Sequence, residues 1–285
     1  MKRMRKVMSS FTERLEKASK TTKSLVCVGL DPDSSRMPVP DVFAFNRAIV
    51  DATAELVCAY KPNLAYYEAM GLQGLEDLHK TVTHIRNVAP TAVIIGDAKR
   101  GDIGPSAEAY AKALFEVWDF DAITINAWGG HDTVTPFIQN HEKGVFVWCR
   151  GSNPGSTDFQ DLQTETDVSS VPLYLKMALA CQEWDANNNL GLVVGATVPE
   201  QLKQVRASCP TLPFLIPGVG AQGGDLEAAV RQGCDSRGRR ALINSSRGII
   251  YASDGADFAQ AAAREANKLR TSINEVLEAE GKGWP

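Results

Sequence analysis

Eight short apolar runs recur along the chain, and most are followed by a stretch with helical spacing. The first four read LVCVGLD (25–31), VCAYKPN (57–63), AVIIGDAK (92–99) and AITINAW (122–128). The last four read GVFVWCR (144–150), GLVVGAT (191–197), PFLIPGVG (213–220) and RALINSSR (240–247). Between the first two, Val42, Phe45, Ile49, Ala52 and Leu56 keep one helical face apolar. Between the third and fourth, Ala107, Tyr110, Ala111, Leu114 and Trp118 do the same. Nearly continuous apolar strands need cover on both sheet faces, and alternating β and α units imply parallel strands with right-handed crossovers. Eight such units favour a closed (β/α)8 TIM barrel over an open sheet.

No low-complexity linker divides residues 1–285, so the whole chain is read as one barrel domain. Ser10 and Glu13 have capping-box spacing, which predicts a short N-terminal helix around 11–19 covering one end of the barrel. One segment breaks the rhythm. GSNPGSTDFQDLQTETDVSS (151–170) is a long polar loop after the fifth strand, either a functional lid or disordered.

An apolar content of 44% over 285 residues is enough for a large core. Net charge is −4 and the basic residues are scattered, which argues against a nucleic-acid partner. No apolar segment approaches the roughly 18 residues of a membrane span. The basic N-terminus MKRMRKVMSSF lacks the apolar core of a signal peptide. Six cysteines (27, 58, 149, 181, 209, 234) form no CxxC pair, and reduced, mostly buried thiols in a cytoplasmic protein are the economical reading.

In a barrel the carboxyl ends of the strands build the site, and the unusual polar residues collect there. The first strand ends in Asp31, the second in Lys61 and Asn63, the third in Asp97, Lys99 and Asp102. The fourth reaches Asn126, and the fifth delivers Ser152 and Asn153. Side chains two apart on a strand share a face, so Ile95, Asp97 and Lys99 are expected to point together into the mouth. There Lys99 would be desolvated, with Asp97 and Asp102 both held as anions by its ammonium. A cation fixed in a low-dielectric pocket suits the stabilisation of developing negative charge. A purely structural ion-pair cluster at the strand end would look the same.

The loop PGVGAQGGD and the ending SSRG supply a second signal. Gly218, Gly220, Gly223 and Gly224 let backbone N–H groups approach a ligand, and Arg247 can add a charge-assisted contact, which together suggest a phosphate site. A plain flexible turn is the alternative for the glycines. His79, His84, His131 and His141 lack metal-cage spacing. Asp31-Pro32-Asp33 could hold Mg²⁺, but Lys61 on the next strand would repel it, so no metal site is expected.

With these residues placed, the chain resembles the orotidine 5′-phosphate decarboxylases, in the bacterial type with longer loops. The family's Asp-x-Lys-x-x-Asp motif stands as Asp97, Lys99 and Asp102 within DAKRGDIG. KPNLAYYE, GSNPGS, GLVVGAT, PGVGAQGGD and SSRGIIYAS extend the match from about 23 to 255. The resemblance implies decarboxylation of orotidine 5′-monophosphate to uridine 5′-monophosphate and carbon dioxide, the last step of de novo pyrimidine synthesis. It implies no metal and no organic cofactor, and a homodimer in which Asp102 enters the neighbouring subunit's site. By the same resemblance Lys99 stabilises and protonates the C6 carbanion, while Asp97 lies beside the substrate carboxylate and holds Lys99. Asp31 and Lys61 would bind ribose hydroxyls, and Ser106 stands where the family often has Thr near the ribose. Ser152 would contact the pyrimidine, and Gln222 and Arg247 the phosphate. Two rivals remain: a Mg²⁺-dependent sugar-phosphate decarboxylase or synthase on the same barrel, and a catalytically silent nucleotide-binding barrel.

Overall fold

The apolar runs are the staves of a closed barrel. The computed structural model describes residues 9–165, 170–220 and 223–285. Five strands come first: β1 (Val26–Leu30), β2 (Ala59–Pro62), β3 (Val93–Arg100), β4 (Ala122–Ile125) and β5 (Gly144–Arg150). The hairpin β6 (Gln163–Glu165) and β7 (Ser170–Pro172) follows, outside the barrel and antiparallel. Then come β8 (Leu190–Val194), β9 (Phe214–Pro217) and β10 (Ala241–Ser245). The eight barrel strands pair in parallel in chain order, and β10 closes on β1 through Val26↔Ile243, Cys27↔Asn244 and Val28↔Ser245.

The helices wrap this cylinder. They are α1 (Phe11–Thr22), α2 (Val42–Thr53), α3 (Leu64–Ala69), α4 (Gly71–Val88), α5 (Gly104–Lys112) and α6 (His131–Ile138). After them come α7 (Thr157–Gln160), α8 (Leu173–Trp184), α9 (Pro199–Ser208), α10 (Leu226–Gly233), α11 (Arg247–Ile250) and α12 (Phe258–Ala279). No helix among the described residues is long and apolar enough to cross a membrane.

Period-2 alternation splits the apolar residues into two cores. Cys27, Ala59, Val93, Ile95, Ala122, Phe146, Val193, Leu215 and Leu242 fill the barrel interior. The residues between them, such as Val28, Tyr60, Ile94, Ile123, Val145, Leu192, Ile216 and Ile243, pack outward under the helices. The interior is closed at the amino end by α1. Its capping box forms as expected, with Glu13 N–H donating to Ser10 Oγ and Ser10 N–H to Glu13 Oε2. Phe11, fully buried, meets Phe146 edge-on with ring centroids 5.9 Å apart. Position 144 has to be glycine, because a Cβ there would lie 2.4 Å from the Phe11 ring. Beside this plug, buried Asp121 receives Arg14 and Arg86 on its two oxygens and the Ile94 N–H, tying α1 and α4 to the strands.

Three sequence expectations change in detail. The buried face of α2 runs through Val42, Phe45, Asn46, Ile49, Val50 and Thr53, so Ala52 and Leu56 sit at its margin. After α5 the chain makes a π turn (Ala113–Val117) in which Leu114 and Phe115 are both buried, while Tyr110, ahead of it on α5, is exposed. The polar segment 151–170 is not structureless: its described part holds a 3-10 turn (Pro154–Ser156), α7 and β6. The second crossover contains two helices, broken at Gly71, whose φ of +66° is left-handed.

Candidate active site

Asp97 is the centre of the barrel mouth. It is 8% exposed, and both its oxygens are taken. Lys61 Nζ donates to Oδ2 at 2.8 Å, while Lys99 Nζ at 2.5 Å and Thr124 Oγ1 at 2.8 Å donate to Oδ1. Burial alone would raise this carboxyl group's pKa, but the two ammonium groups override it and hold Asp97 well below the usual carboxylate range. Burial would likewise push Lys61 down, yet Asp97 and Asp31 together leave it above an ordinary lysine. At neutral pH the array is therefore a carboxylate clamped between two cations.

The desolvated lysine is Lys61, only 4% exposed, rather than Lys99, whose side chain is 40% exposed. The reason lies in the backbone. The β3–β4 register shifts between Gly96 and Arg100, and Lys99 takes a left-handed φ of +46° inside that irregularity. Its N–H donates to Thr124 Oγ1 at 3.0 Å, so one threonine fixes both the Lys99 backbone and the Asp97 carboxylate. A non-glycine residue held there stores strain of about 1–3 kcal/mol. Alternation thus puts Lys99 on the right side of the strand, and the bulge turns its ammonium toward the opening.

Two cavities meet at this array. One, about 190 Å³, is lined by Lys99, Thr124, Trp148, Arg150, Ser152 and Leu215 among others. The second, about 170 Å³, is lined by Asp31, Asn63, Gly218, Asn244, Ser246 and Arg247 among others. Lys61, Asp97 and Pro217 border both, so the two form one elongated cleft. Arg247 opens α11 directly after β10. Opposite it, Gly218, Gly220 and Gly223 have φ values of +101°, +75° and +79°, and the Gly224 N–H donates to the Gly218 carbonyl. A Cβ at 224 would lie 2.6 Å from that carbonyl, so this turn requires its glycines. Gln222 lies outside the described residues.

Asp31, Lys61, Asp97, Lys99, Ser152 and Arg247 thus share one cleft, as expected. Asp102 and Ser106 do not enter it. Both are exposed on the segment after β3; Asp102 Oδ1 accepts the Ile103 N–H at 2.8 Å and forms no ion pair with Lys99 within the chain. The expectation of one ammonium shared by both acids fails inside a single chain: Lys99 Nζ pairs with Asp97, while Asp102 lies exposed beyond the end of β3.

Sequence reasoning passed over Thr124 and Arg150. Thr124 is the polar member of AITI in phase with Ala122, a signal that alternation could have flagged. Arg150, 2% exposed, donates to Ser156 Oγ, to Gln160 Oε1 at 3.2 Å and to Asp161 Oδ2 at 3.2 Å. It ties the segment after β5 over the first cavity, and nothing local in the run GVFVWCR announces that role. The histidines do not gather: His84 pairs with Asp51 at 2.6 Å and His131 stacks on Trp184. Among the described residues no three His, Cys, Asp or Glu side chains form a metal cage.

A closed parallel barrel with a Lys–Asp–Lys array and an arginine at its carboxyl mouth defines a (β/α)8-barrel protein of the kind that handles anionic small molecules. The chain belongs to the orotidine 5′-phosphate decarboxylase / HUMPS family, whose model matches residues 24–262. It is 49% identical over 265 residues to an orotidine 5′-phosphate decarboxylase of Dehalococcoides mccartyi, covering 93% of this chain and 97% of that protein. It is 46% identical to the enzyme of that name from Cellvibrio japonicus, over 93% and 98% of the two chains. Among solved structures, the Leishmania donovani OMP decarboxylase superposes with a TM-score of 0.81 at 37% identity, covering 94% of this chain and 99% of that one. The UMP synthase of the same organism matches with a TM-score of 0.84 at 38% identity, over 94% of this chain and 56% of that longer one.

Proposed function

We propose that this protein converts orotidine 5′-monophosphate into uridine 5′-monophosphate and carbon dioxide, the last step of de novo pyrimidine synthesis, without a metal or organic cofactor. The observation that carries this reading is the Asp97 carboxylate clamped between buried Lys61 and half-exposed Lys99 in the barrel mouth. Loss of carbon dioxide breaks the bond at C6 and leaves its electron pair there, with no conjugated sink. A preorganised ammonium in a water-poor cleft is the group that lowers the energy of that carbanion. Lys99 then gives an Nζ proton to C6, and its exposure lets solvent restore the proton. The substrate carboxylate lies beside Asp97, Ser152 contacts the pyrimidine, and Asp31 and Lys61 hold the ribose. Gln222 and Arg247 hold the phosphate, whose remote contacts favour closure of the cleft.

The working unit in this proposal is a homodimer of single-domain chains. Asp102 and Ser106 lie exposed outside their own cleft and would reach the neighbour's. The same reading accounts for exposed Leu72, Ile103 and Trp128, which come from the segments after three consecutive strands, β2, β3 and β4. Six buried thiols and the absence of a membrane-spanning helix among the described residues suit a cytoplasmic enzyme.

The rival reading is a sugar-phosphate decarboxylase or synthase on the same barrel, which uses Mg²⁺ bound by carboxylates. Buried Lys61 at the end of β2 speaks against it, since a cation there repels a metal. A spectrophotometric assay with orotidine 5′-monophosphate decides: full turnover in EDTA is the expected result, and activity that vanishes with chelator and returns with Mg²⁺ overturns the proposal. Nucleotide binding without any turnover would favour the silent barrel.

Arg247→Ala separates binding from chemistry. Removing one charge-assisted contact should raise KM by about 10- to 100-fold with a smaller change in kcat. Bare orotidine, which lacks the phosphate, should be processed equally by variant and parent. An equal loss on the nucleoside would take the phosphate away from Arg247.

A further inference from the structure

Two buried oxygens in the mouth have no hydrogen-bond partner among the described residues: Asp31 Oδ1 and Asn244 Oδ1. Both residues line the cavity that ends at Arg247. Asn244 is 6% exposed and sits on β10 opposite Cys27 of β1, the strand that Asp31 follows. The two acceptors therefore come off neighbouring staves. A buried acceptor left unpaired costs stability, so a fold that keeps two of them in one cleft is arranged for donors that arrive with a ligand.

The chemistry of a nucleotide limits which donors these are. A phosphate dianion only accepts hydrogen bonds, so it cannot satisfy either oxygen. The pyrimidine belongs at the Ser152 and Lys99 end of the cleft. Between the two ends, a nucleoside monophosphate offers only the 2′- and 3′-hydroxyls of its ribose, a vicinal pair of O–H donors. We propose that Asn244 Oδ1 accepts a hydrogen bond from one ribose hydroxyl, dividing the diol with Asp31, so that Asn244 helps to select ribonucleotides over deoxyribonucleotides. This rests on the nucleotide reading above. A ligand lacking that hydroxyl leaves the oxygen orphaned, and a site built to pair with a hydroxyl discriminates strongly against the analogue without it.

The test measures Kd for uridine, 2′-deoxyuridine and 3′-deoxyuridine 5′-monophosphates on the parent, Asn244→Ala and Asn244→Leu. Asn244→Ala should weaken the ribonucleotide about 3- to 20-fold yet match the parent on one of the two deoxy analogues. Asn244→Leu keeps the volume and removes the orphaned acceptor, so its unliganded Tm should be unchanged or higher by about 1–3 °C while the same selective loss appears. Losses of one common factor on all three nucleotides, or no loss at all, overturn the proposal, as does a Tm several degrees lower in Asn244→Leu. Failure of the parent to bind uridine 5′-monophosphate would instead remove the nucleotide reading itself, and the role of Asn244 with it.

Discussion

Replacing Lys99 by alanine is expected to lower kcat by at least about 10⁴-fold while leaving uridine 5′-monophosphate binding within an order of magnitude. Two losses combine in that figure. Removing one preorganised charge stabiliser costs about 10²–10³ in rate, and removing the proton donor costs about another 10²–10⁴. Binding survives because the groups assigned to ribose and phosphate stay in place, and because Asp97 keeps Lys61 as its partner at 2.8 Å. The variant should also fold, since the deleted side chain is 40% exposed and its left-handed backbone is fixed by Thr124. Steady-state kinetics with parallel nucleotide titration checks the prediction. Turnover near that of the parent would end the assignment of Lys99 as proton donor.

Asp102→Ala gives the second large effect. Although this residue touches nothing in its own cleft, its loss should cost at least about 10²-fold in kcat/KM if the neighbouring subunit depends on it. The decisive measurement mixes two inactive proteins. In a two-fold dimer of Lys99→Ala with Asp102→Ala, one site carries both lesions and the other carries neither. Equal mixing with free exchange should therefore restore about a quarter of the parental activity. Demonstrated exchange with no recovery would confine Asp102 to its own chain and leave its exposure unexplained by catalysis.

The barrel was legible because eight apolar runs repeat with helical spacers between them, and each lies within a few residues of an observed strand. Asp97 and Lys99 were legible for the same reason, since period-2 alternation needs no knowledge of neighbours. The partition of burial between the two lysines was not. Sequence spacing gives Lys99 the side of β3 it occupies, but the register shift that exposes it depends on β4, where Thr124 captures its N–H. Lys61 ends up buried because it stands between β1 and β3, paired opposite Gly29, with its ammonium drawn onto Asp97 of the neighbouring strand. Arg150 belongs to the same class. Its partners lie six to eleven residues further along a polar segment whose folding the sequence alone leaves open. Asn244 was visible inside the run RALINSSR, but only its unpaired oxygen marks it as more than a strand-end amide.

The pairing of β10 with β1 has a consequence for how the chain is made. The stave that completes the cylinder is the last to be synthesised, so until residue 245 has emerged the growing sheet has two open edges, one of them β1 itself. Unpaired parallel edges invite association with other chains. The seam also means that no amino-terminal fragment contains a finished cleft: Asp31 and Lys61 are present early, but Asn244 and Arg247 arrive across from them only at the end. Nascent chains therefore lack a finished cleft and keep association-prone edges until almost the whole barrel is available.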